Sequence, residues 1–193
     1  MRYEKGHRDA TRARIIEIAS RRFRRDGVEA VGIASLMAEA GLTHGGFYAH
    51  FASKEDLVRA ALGDAMQRGQ DRLGEAAAQD GLEGIIRYYL RPRHRDEPER
   101  GCAAASLAAE VARHPEATRS TLADPVEDRV ALIAECLPAG DPAERRRRAI
   151  GIFASLMGTL QLARLAPDPA LSDEILAGGA AAARALAGGA GQV

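Results

Sequence analysis

Residues 31–51 read V-G-I-A-S-L-M-A-E-A-G-L-T-H-G-G-F-Y-A-H-F, an apolar helical run stopped by a glycine and followed at once by a short aromatic-rich segment. No other stretch constrains the fold as strongly. Ile33, Leu36, Met37 and Ala40 recur at helical spacing and predict a helix over 31–40. Gly41 ends it, because glycine takes positive φ without a Cβ clash. Thr43 stands as the N-cap of a second, short helix over 43–49, with Leu42 placed to plug between the two. Phe47 and Phe51 anchor the inner side of that second helix. This is the sequence form of a helix-turn-helix. It leaves Thr43, His44, Gly45, Gly46 and Tyr48 at the exposed N-terminal end, the end that in such motifs enters a major groove and meets base edges. The two glycines weaken the helix by roughly 1 kcal/mol each relative to alanine. Close backbone approach to a nucleic acid is a use that would retain them, and free N–H groups at a helix start suit a phosphate.

The remainder reads as helix throughout. Alternating Val/Ile/Thr/Tyr runs bounded by turns are nearly absent, and Ala, Leu, Arg and Glu dominate. A first helix is expected over 9–26, with Ile15, Ile16, Ala19 and Phe23 on one side and Gly27 at its end. The fourth opens at Ser53-Lys54-Glu55-Asp56, close to a capping box with Asp in the Glu position, and continues through Leu57, Val58, Ala61, Leu62 and Met66 to about 78. Later helices fall near 82–94, 101–113, 116–137, 142–164 and 170–187, the fifth to last of about nine. Asp141-Pro142-Ala143-Glu144 is a well-marked start. Pro125 should kink or split its helix. Arg91 to Arg100 reads as an exposed loop, and the tail from Gly188 to Val193 as frayed. The expectation is an all-α chain: a three-helix helix-turn-helix domain over 1–54 and a helical domain over 55–193.

A formal net charge of zero at first argues against a nucleic-acid partner. The distribution changes that. Residues 1–25 hold nine basic side chains against three acidic ones, whereas residues 61–193 hold sixteen basic against nineteen acidic. Such asymmetry suits an anionic partner for the basic end, or a solvated helix face. Four of the eight aromatics, Phe23, Phe47, Tyr48 and Phe51, lie beside that basic segment. Two cysteines are too few for a disulfide scaffold, and neither a membrane span nor a signal peptide is apparent, so a soluble cytoplasmic protein without membrane association is expected.

From Thr11 to Leu57 the pieces T-R-A-R-I-I-E-I-A-S-R-R-F-R-R-D-G, I-A-S-L-M-A-E-A-G-L-T-H-G-G-F-Y-A-H-F and A-S-K-E-D-L stand in order. Together, and above all in Tyr-x-x-Phe followed by Ser-Lys-Glu, they resemble the DNA-binding domain of the tetracycline-repressor (TetR) family of transcriptional regulators. The resemblance covers about the first 60 residues. Two departures bear on operator choice: Leu36-Met37-Ala38 occupies the register of the family's common Asp-Ile-Ala, and His44-Gly45-Gly46 replaces a small-polar or lysine-containing run. The resemblance implies DNA contacts from Thr43, Tyr48 and His50, a phosphate contact from Lys54, and backbone contacts from Thr11 and Arg14 at the start of the first helix. A cation at a helix start is disfavoured by the macrodipole, which favours a phosphate partner for Lys54.

The resemblance also implies a homodimer on double-stranded operator DNA, released by a small-molecule effector held among the middle helices. Candidates for that pocket are Tyr88, Tyr89, Leu90, Cys102, Leu107, Val111, Leu122, Val126, Val130, Phe153 and Leu156. For the dimer interface, Gly151, Ser155 and Gly158 form a small-residue row beside Leu162, and the last helix offers Ile175 and Leu176; two such helices per subunit would make a four-helix bundle across a two-fold axis. Intrachain core is the alternative for these residues. Cys102 follows Gly101 at a helix start beside Arg100, where a thiol is acidified, so a thiol-based sensor of electrophiles or oxidants is a second reading. Cys102, Cys136, His94 and His114 have no metal-ligand spacing, so no metal and no cofactor is expected. Arg145 to Arg148 spans a full helical turn and reads as solvated. A small helical enzyme fits poorly, since no nucleophile–base pair, paired carboxylates or phosphate loop emerges. A helical adaptor with a basic N-terminus is the other rival.

Overall fold

The computed structural model describes the backbone of residues 2–188 and side chains from residue 6 onward. The side chains of Arg2 and Lys5, counted in the basic segment, lie outside the described residues, as does the 189–193 part of the tail read as frayed. Helix α1 spans Arg2–Asp26 and ends at Gly27, whose φ of +86° closes the last turn. It begins well before residue 9, because no proline or capping residue stands in Glu4–Arg8 to stop it. Thr11 and Arg14 therefore sit well inside α1, not at its start. Helix α2 spans Ile33–Glu39. It ends in a Schellman turn: Gly41 (φ +70°) donates to the Ala38 carbonyl at 3.0 Å and Leu42 to the Met37 carbonyl at 2.8 Å.

The next segment, the short helix expected over 43–49, is a 3₁₀ helix over His44–Ala49. Its two glycines lower α propensity, and six residues are few for an α-helix to sustain itself. Thr43 holds the N-cap position, but its side chain makes no capping bond. Helix α3 spans Lys54–Tyr89. Ser53 Oγ accepts from Asp56 N at 3.1 Å, and Asp56 reaches back to accept from Ala52 N at 3.2 Å, one residue beyond the ordinary capping box. Asp80 and Gly81 leave helical geometry inside α3, with Gly81 at φ +52°, so the two helices expected over 53–78 and 82–94 are present as two halves of one element.

The stretch Arg91–Arg100, expected as an exposed loop, is instead helix α4 (Pro92–Asp96) followed by a 3₁₀ turn over Pro98–Arg100. The reason is tertiary. His94 is buried, donating from Nδ1 to the Tyr89 carbonyl at 2.6 Å and accepting the Cys102 amide at Nε2 at 2.8 Å. Helices α5 (Ala103–Val111), α6 (Glu116–Glu135), α7 (Pro142–Leu165) and α8 (Pro169–Gly188) follow. Helix α6 runs unbroken through Pro125, on a half-exposed stretch of the helix where Thr121, whose carbonyl loses its helical donor, is not buried. Counting both halves of α3, nine α-helical segments and no β-strand occur among the described residues.

Ile15, Phe23, Leu36, Met37, Phe47, Phe51 and Leu57 form the core of the N-terminal unit, each at most 2% exposed. Burial of such a side chain contributes about 1.5–3 kcal/mol. Leu57, Val58, Ala61 and Leu62 carry this core along α3 into the body. Two polar ties reinforce the junction. Glu110 of α5 accepts from Val28 N at 3.0 Å and Glu29 N at 2.7 Å, and Arg24 Nη1 donates to the Gly101 carbonyl at 3.2 Å. Helices α7 and α8 pack closely, with Gly179 against Thr159 so tightly that a Cβ there would overlap the threonine.

Candidate nucleic-acid interface

The 3₁₀ helix is held from below by Phe47, fully buried, whose ring stacks on Phe51 with centroids 5.5 Å apart. This anchors Tyr48, which stands edge-on to Phe47 and is 62% exposed, an unusual position for a large aromatic ring. Thr43, His44 and Gly45 are exposed beside it, with His44 6.2 Å from the Tyr48 ring, and Gly46 is half-buried. Neither glycine is required by the chain's own packing. A Cβ on Gly45 would meet nothing within 4 Å, one on Gly46 would make ordinary contacts at 3.6 and 3.8 Å, and neither has positive φ.

Lys54 flanks this edge as the first residue of α3, half-buried and without a carboxylate partner among the described residues. Arg14 is exposed, its guanidinium against the Gly41 turn. Thr11 donates its hydroxyl to the His7 carbonyl at 2.9 Å within α1. His50 caps the 3₁₀ helix, half-buried, with Nδ1 enclosed and unpartnered. Burial, then Arg8 and Arg12, lower its pKa, so its ring is neutral near pH 7. Sequence reasoning missed Arg8 and Arg12 as site residues. Arg8 donates to the Ala49 carbonyl at 2.6 Å, and Arg12 lies 4.9 Å over the Phe51 ring. Their i, i+4 spacing on one α1 face was the available signal.

The basic segment therefore divides. Toward the end of α1, Arg21 and Arg22 pair with Glu39, and Arg22 and Arg25 with Asp26. Arg25 and Arg22 hold the Asp26 carboxyl down at about 2. Arg24 is buried, which lowers its pKa to about 10, with Arg72 adding to the shift. Arg8, Arg12 and Arg14, without a carboxylate partner among the described residues, lie against the 3₁₀ helix and the turns on either side of it, and Lys54 follows in sequence. Next to Lys54, Glu55 accepts from Thr118 and faces His114 Nδ1 at 3.1 Å, tying the start of α3 to the α5–α6 corner.

The pocket candidates separate into three groups. Val111, Leu122, Val126, Val130 and Phe153 line an open apolar cleft of about 490 Å³ between α5, α6 and α7. Tyr88, Tyr89 and Cys102 line a different, small and partly open cavity of about 20 Å³, together with His94 and the buried Arg129. Leu90, Leu107 and Leu156 line neither and belong to the core, correcting their placement as pocket residues; their apolar side chains satisfy core and pocket patterns equally. Arg129 Nη1 lies 3.1 Å from Cys102 Sγ, and its Nη2 donates to the Met66 carbonyl at 3.2 Å. Gly69 makes room for it, since a Cβ there would stand 2.6 Å from Nη2.

Of the interface candidates, Leu162 is 58% exposed and neighbours Leu165 at 78%. Gly151, Ser155, Gly158 and Ile175 are half-buried, with Gly151 against Leu186 of α8. Leu176 is a correction: it is buried within the chain, because α8 turns that side onto α7. Arg146 and Arg147 are exposed and paired with Glu127 and Glu144, but Arg145 and Arg148 are half-buried, so the arginine run is only partly solvated. Glu29, Glu110 and His114 bring ligand atoms within 4.8 Å of one another, but both Glu110 oxygens already accept backbone amides.

A short anchored helix with an exposed aromatic and a glycine pair, flanked by cations and set on an all-helical body, is the arrangement of a helix-turn-helix protein. The model of bacterial regulatory proteins, tetR family, matches residues 15–61. The chain is 38% identical over 93 residues to the probable HTH-type transcriptional regulator ArpR of Pseudomonas putida, covering 47% of this chain and 44% of that protein. It is 39% identical over 77 residues to a second Pseudomonas putida protein, the HTH-type transcriptional regulator TtgR, covering 40% and 36%. The matched part spans less than half the length of these curated relatives. The fold matches a TetR transcriptional regulator from Chloroflexus aurantiacus with a TM-score of 0.77 at 23% identity, over 94% of this chain and 96% of that one. The likeness to TetR-family regulators in sequence rests on residues 15–61 and on matches that cover less than half of the chain, while the fold is shared over most of its length. Among the described residues, no helix is long and apolar enough to cross a membrane.

Proposed function

We propose that this chain is a DNA-binding transcriptional regulator that acts as a homodimeric repressor and leaves a palindromic operator when a small molecule binds. The observation that carries the reading is the 3₁₀ edge: Tyr48 exposed on a buried aromatic anchor, beside two glycines that no intrachain contact requires. Glycine there suits close approach of the backbone to DNA. Lys54, Arg14, Arg8 and Arg12 supply positive charge at the same edge, and Thr43 keeps an uncapped hydroxyl free for a phosphate or base edge. Residues 1–54 act as the recognition unit and 55–193 as the effector and dimerisation unit. Leu162 and Leu165, exposed beside Gly158 on α7, fit the self-association.

Each subunit would place residues 43–50 in one of two major grooves on one face of the DNA. An effector that fits better when the two recognition units are splayed lowers DNA affinity by its differential affinity for the two states. The test is anisotropy of labelled DNA from the region upstream of the chain's own gene. Tyr48→Ala should abolish binding with helicity and the dimer intact, since the ring is largely outside the core. Unchanged affinity in Tyr48→Ala would sink the reading and leave the adaptor alternative.

A second reading is favoured by one contact. Cys102 Sγ lies 3.1 Å from the Arg129 guanidinium, and on this reading the response is triggered at sulfur. Cys102→Ser should then lose its response to an alkylating agent; a retained response removes this reading.

A further inference from the structure

The interior of the body beside α3 is cationic without acidic partners, and we propose that the effector is an organic acid whose acid group is bound between Arg72, Arg91 and Arg129. This rests on the reading of an effector-responsive regulator and names the effector's chemical class. Arg129 is 2% exposed, and its only side-chain hydrogen-bond partner among the described residues is the Cys102 thiol. Guanidinium does not lose its proton in proteins, so a full positive charge stands in the interior with only a thiol and a carbonyl beside it. Tyr89, equally buried, lines the same cavity, and its hydroxyl faces only the Cys102 thiol, with no oxygen or nitrogen acceptor. Burial keeps that phenol protonated, so it is a donor whose one neighbour, a thiol, is a weak acceptor.

The small cavity, about 20 Å³, has room for about one water-sized group. Arg72 and Tyr88 form its wall and also line an outer groove of about 430 Å³. In that groove Arg91 stacks over the Tyr88 ring at 4.2 Å, with its Nε buried and unpartnered. Arg72 donates Nε to its own helix, leaving its terminal nitrogens without a carboxylate. Arg87 is neutralised by Asp80, and Glu75, the one acidic residue of the groove, is exposed. The arrangement fits a ligand whose acid oxygen enters toward Tyr89 and Arg129 and whose body lies on Tyr88 in the groove. That groove crosses the Asp80–Gly81 break, between Ala76 and Gly84, which are in backbone contact. A ligand there spans both halves of the helix that begins at Lys54, so its binding bears on how the recognition unit is held.

The test uses the full chain with benzoate and octanoate as probes, against benzamide and octanamide. Calorimetry reads binding, and anisotropy reads release from the upstream DNA. At least one acid should bind about tenfold or more tighter than its amide, and Arg72→Met and Arg91→Met, both on the groove, should each lower that affinity about tenfold. Arg129→Met should do the same if it folds. The proposal is overturned if neither acid binds, if acid and amide bind equally, or if both groove variants bind the acid as the parent does. Release of DNA by the amides alone would overturn the acid class and leave the effector reading standing. Arginine-dependent acid binding with no change in DNA affinity would support the acid site and remove the effector reading.

Discussion

Replacing Glu110 with alanine removes the carboxylate that ties the body to the recognition unit. Its two oxygens accept from Val28 N and Glu29 N at 3.0 and 2.7 Å, in the turn that follows α1. Val28 is 1% exposed, so its amide, once abandoned, has little water to turn to, whereas Glu29 is exposed and its amide can be rehydrated. A hydrogen bond to a charged group contributes about 1.5–3 kcal/mol, and the solvent-replaceable one the least. The loss should therefore be about 2–3 kcal/mol. For a chain of this length each kcal/mol lowers Tm by about 2–4 °C, so Glu110→Ala should melt about 4–12 °C below the parent. Glu110→Gln keeps one neutral acceptor and should lose about half as much. Thermal unfolding followed by circular dichroism, with urea titration at 25 °C, measures both. A Glu110→Ala midpoint within a degree of the parent would show that these bonds add nothing net, and the tie between α5 and the recognition unit would have to be ascribed to apolar contact alone.

Lys54→Ala should weaken DNA binding on all sequences and reduce the slope of log affinity against log salt by about one unit, read by anisotropy across a salt series; loss confined to one operator sequence would contradict a phosphate contact. His94 is held neutral by burial, which lowers its pKa to about 4 against 6.5 for the free side chain. Because the unfolded chain takes up the proton first, stability is fully present above pH 6.5 and falls by up to about 3 kcal/mol as pH drops to about 4. Urea midpoints of parent and His94→Gln across that window check this, and an equal slope in both would refute the assignment.

The recognition unit was legible before any coordinates because its signals are local. Gly27 and Gly41 end helices through their own φ, Ser53 and Asp141 cap through side chains three residues from their targets, and Phe47 and Phe51 face inward by helical spacing. The 3₁₀ form of residues 44–49 was not legible, since the same spacing allows either helix. Pocket and core are inseparable in the body for the same reason: Leu107 and Val111 lie on one face of α5 and are both buried in the core, and only packing brings Val111 to the wall of the cleft as well.

Chain order and side-chain chemistry alone determined the all-helical class, most helix limits and which residues stand exposed on the short 3₁₀ helix, because turns, caps and periodicity act over a few neighbours. Tertiary structure alone decided where charge ends up. Arg22 and Arg25 look like Arg12 in sequence, but Asp26 and Glu39 neutralise them. Arg129 looks like any helix-surface arginine, but it is buried against Cys102, 27 residues away in the chain. Local sequence fixes a side chain's chemistry; whether a cation is solvated, paired or enclosed depends on groups that only folding brings beside it.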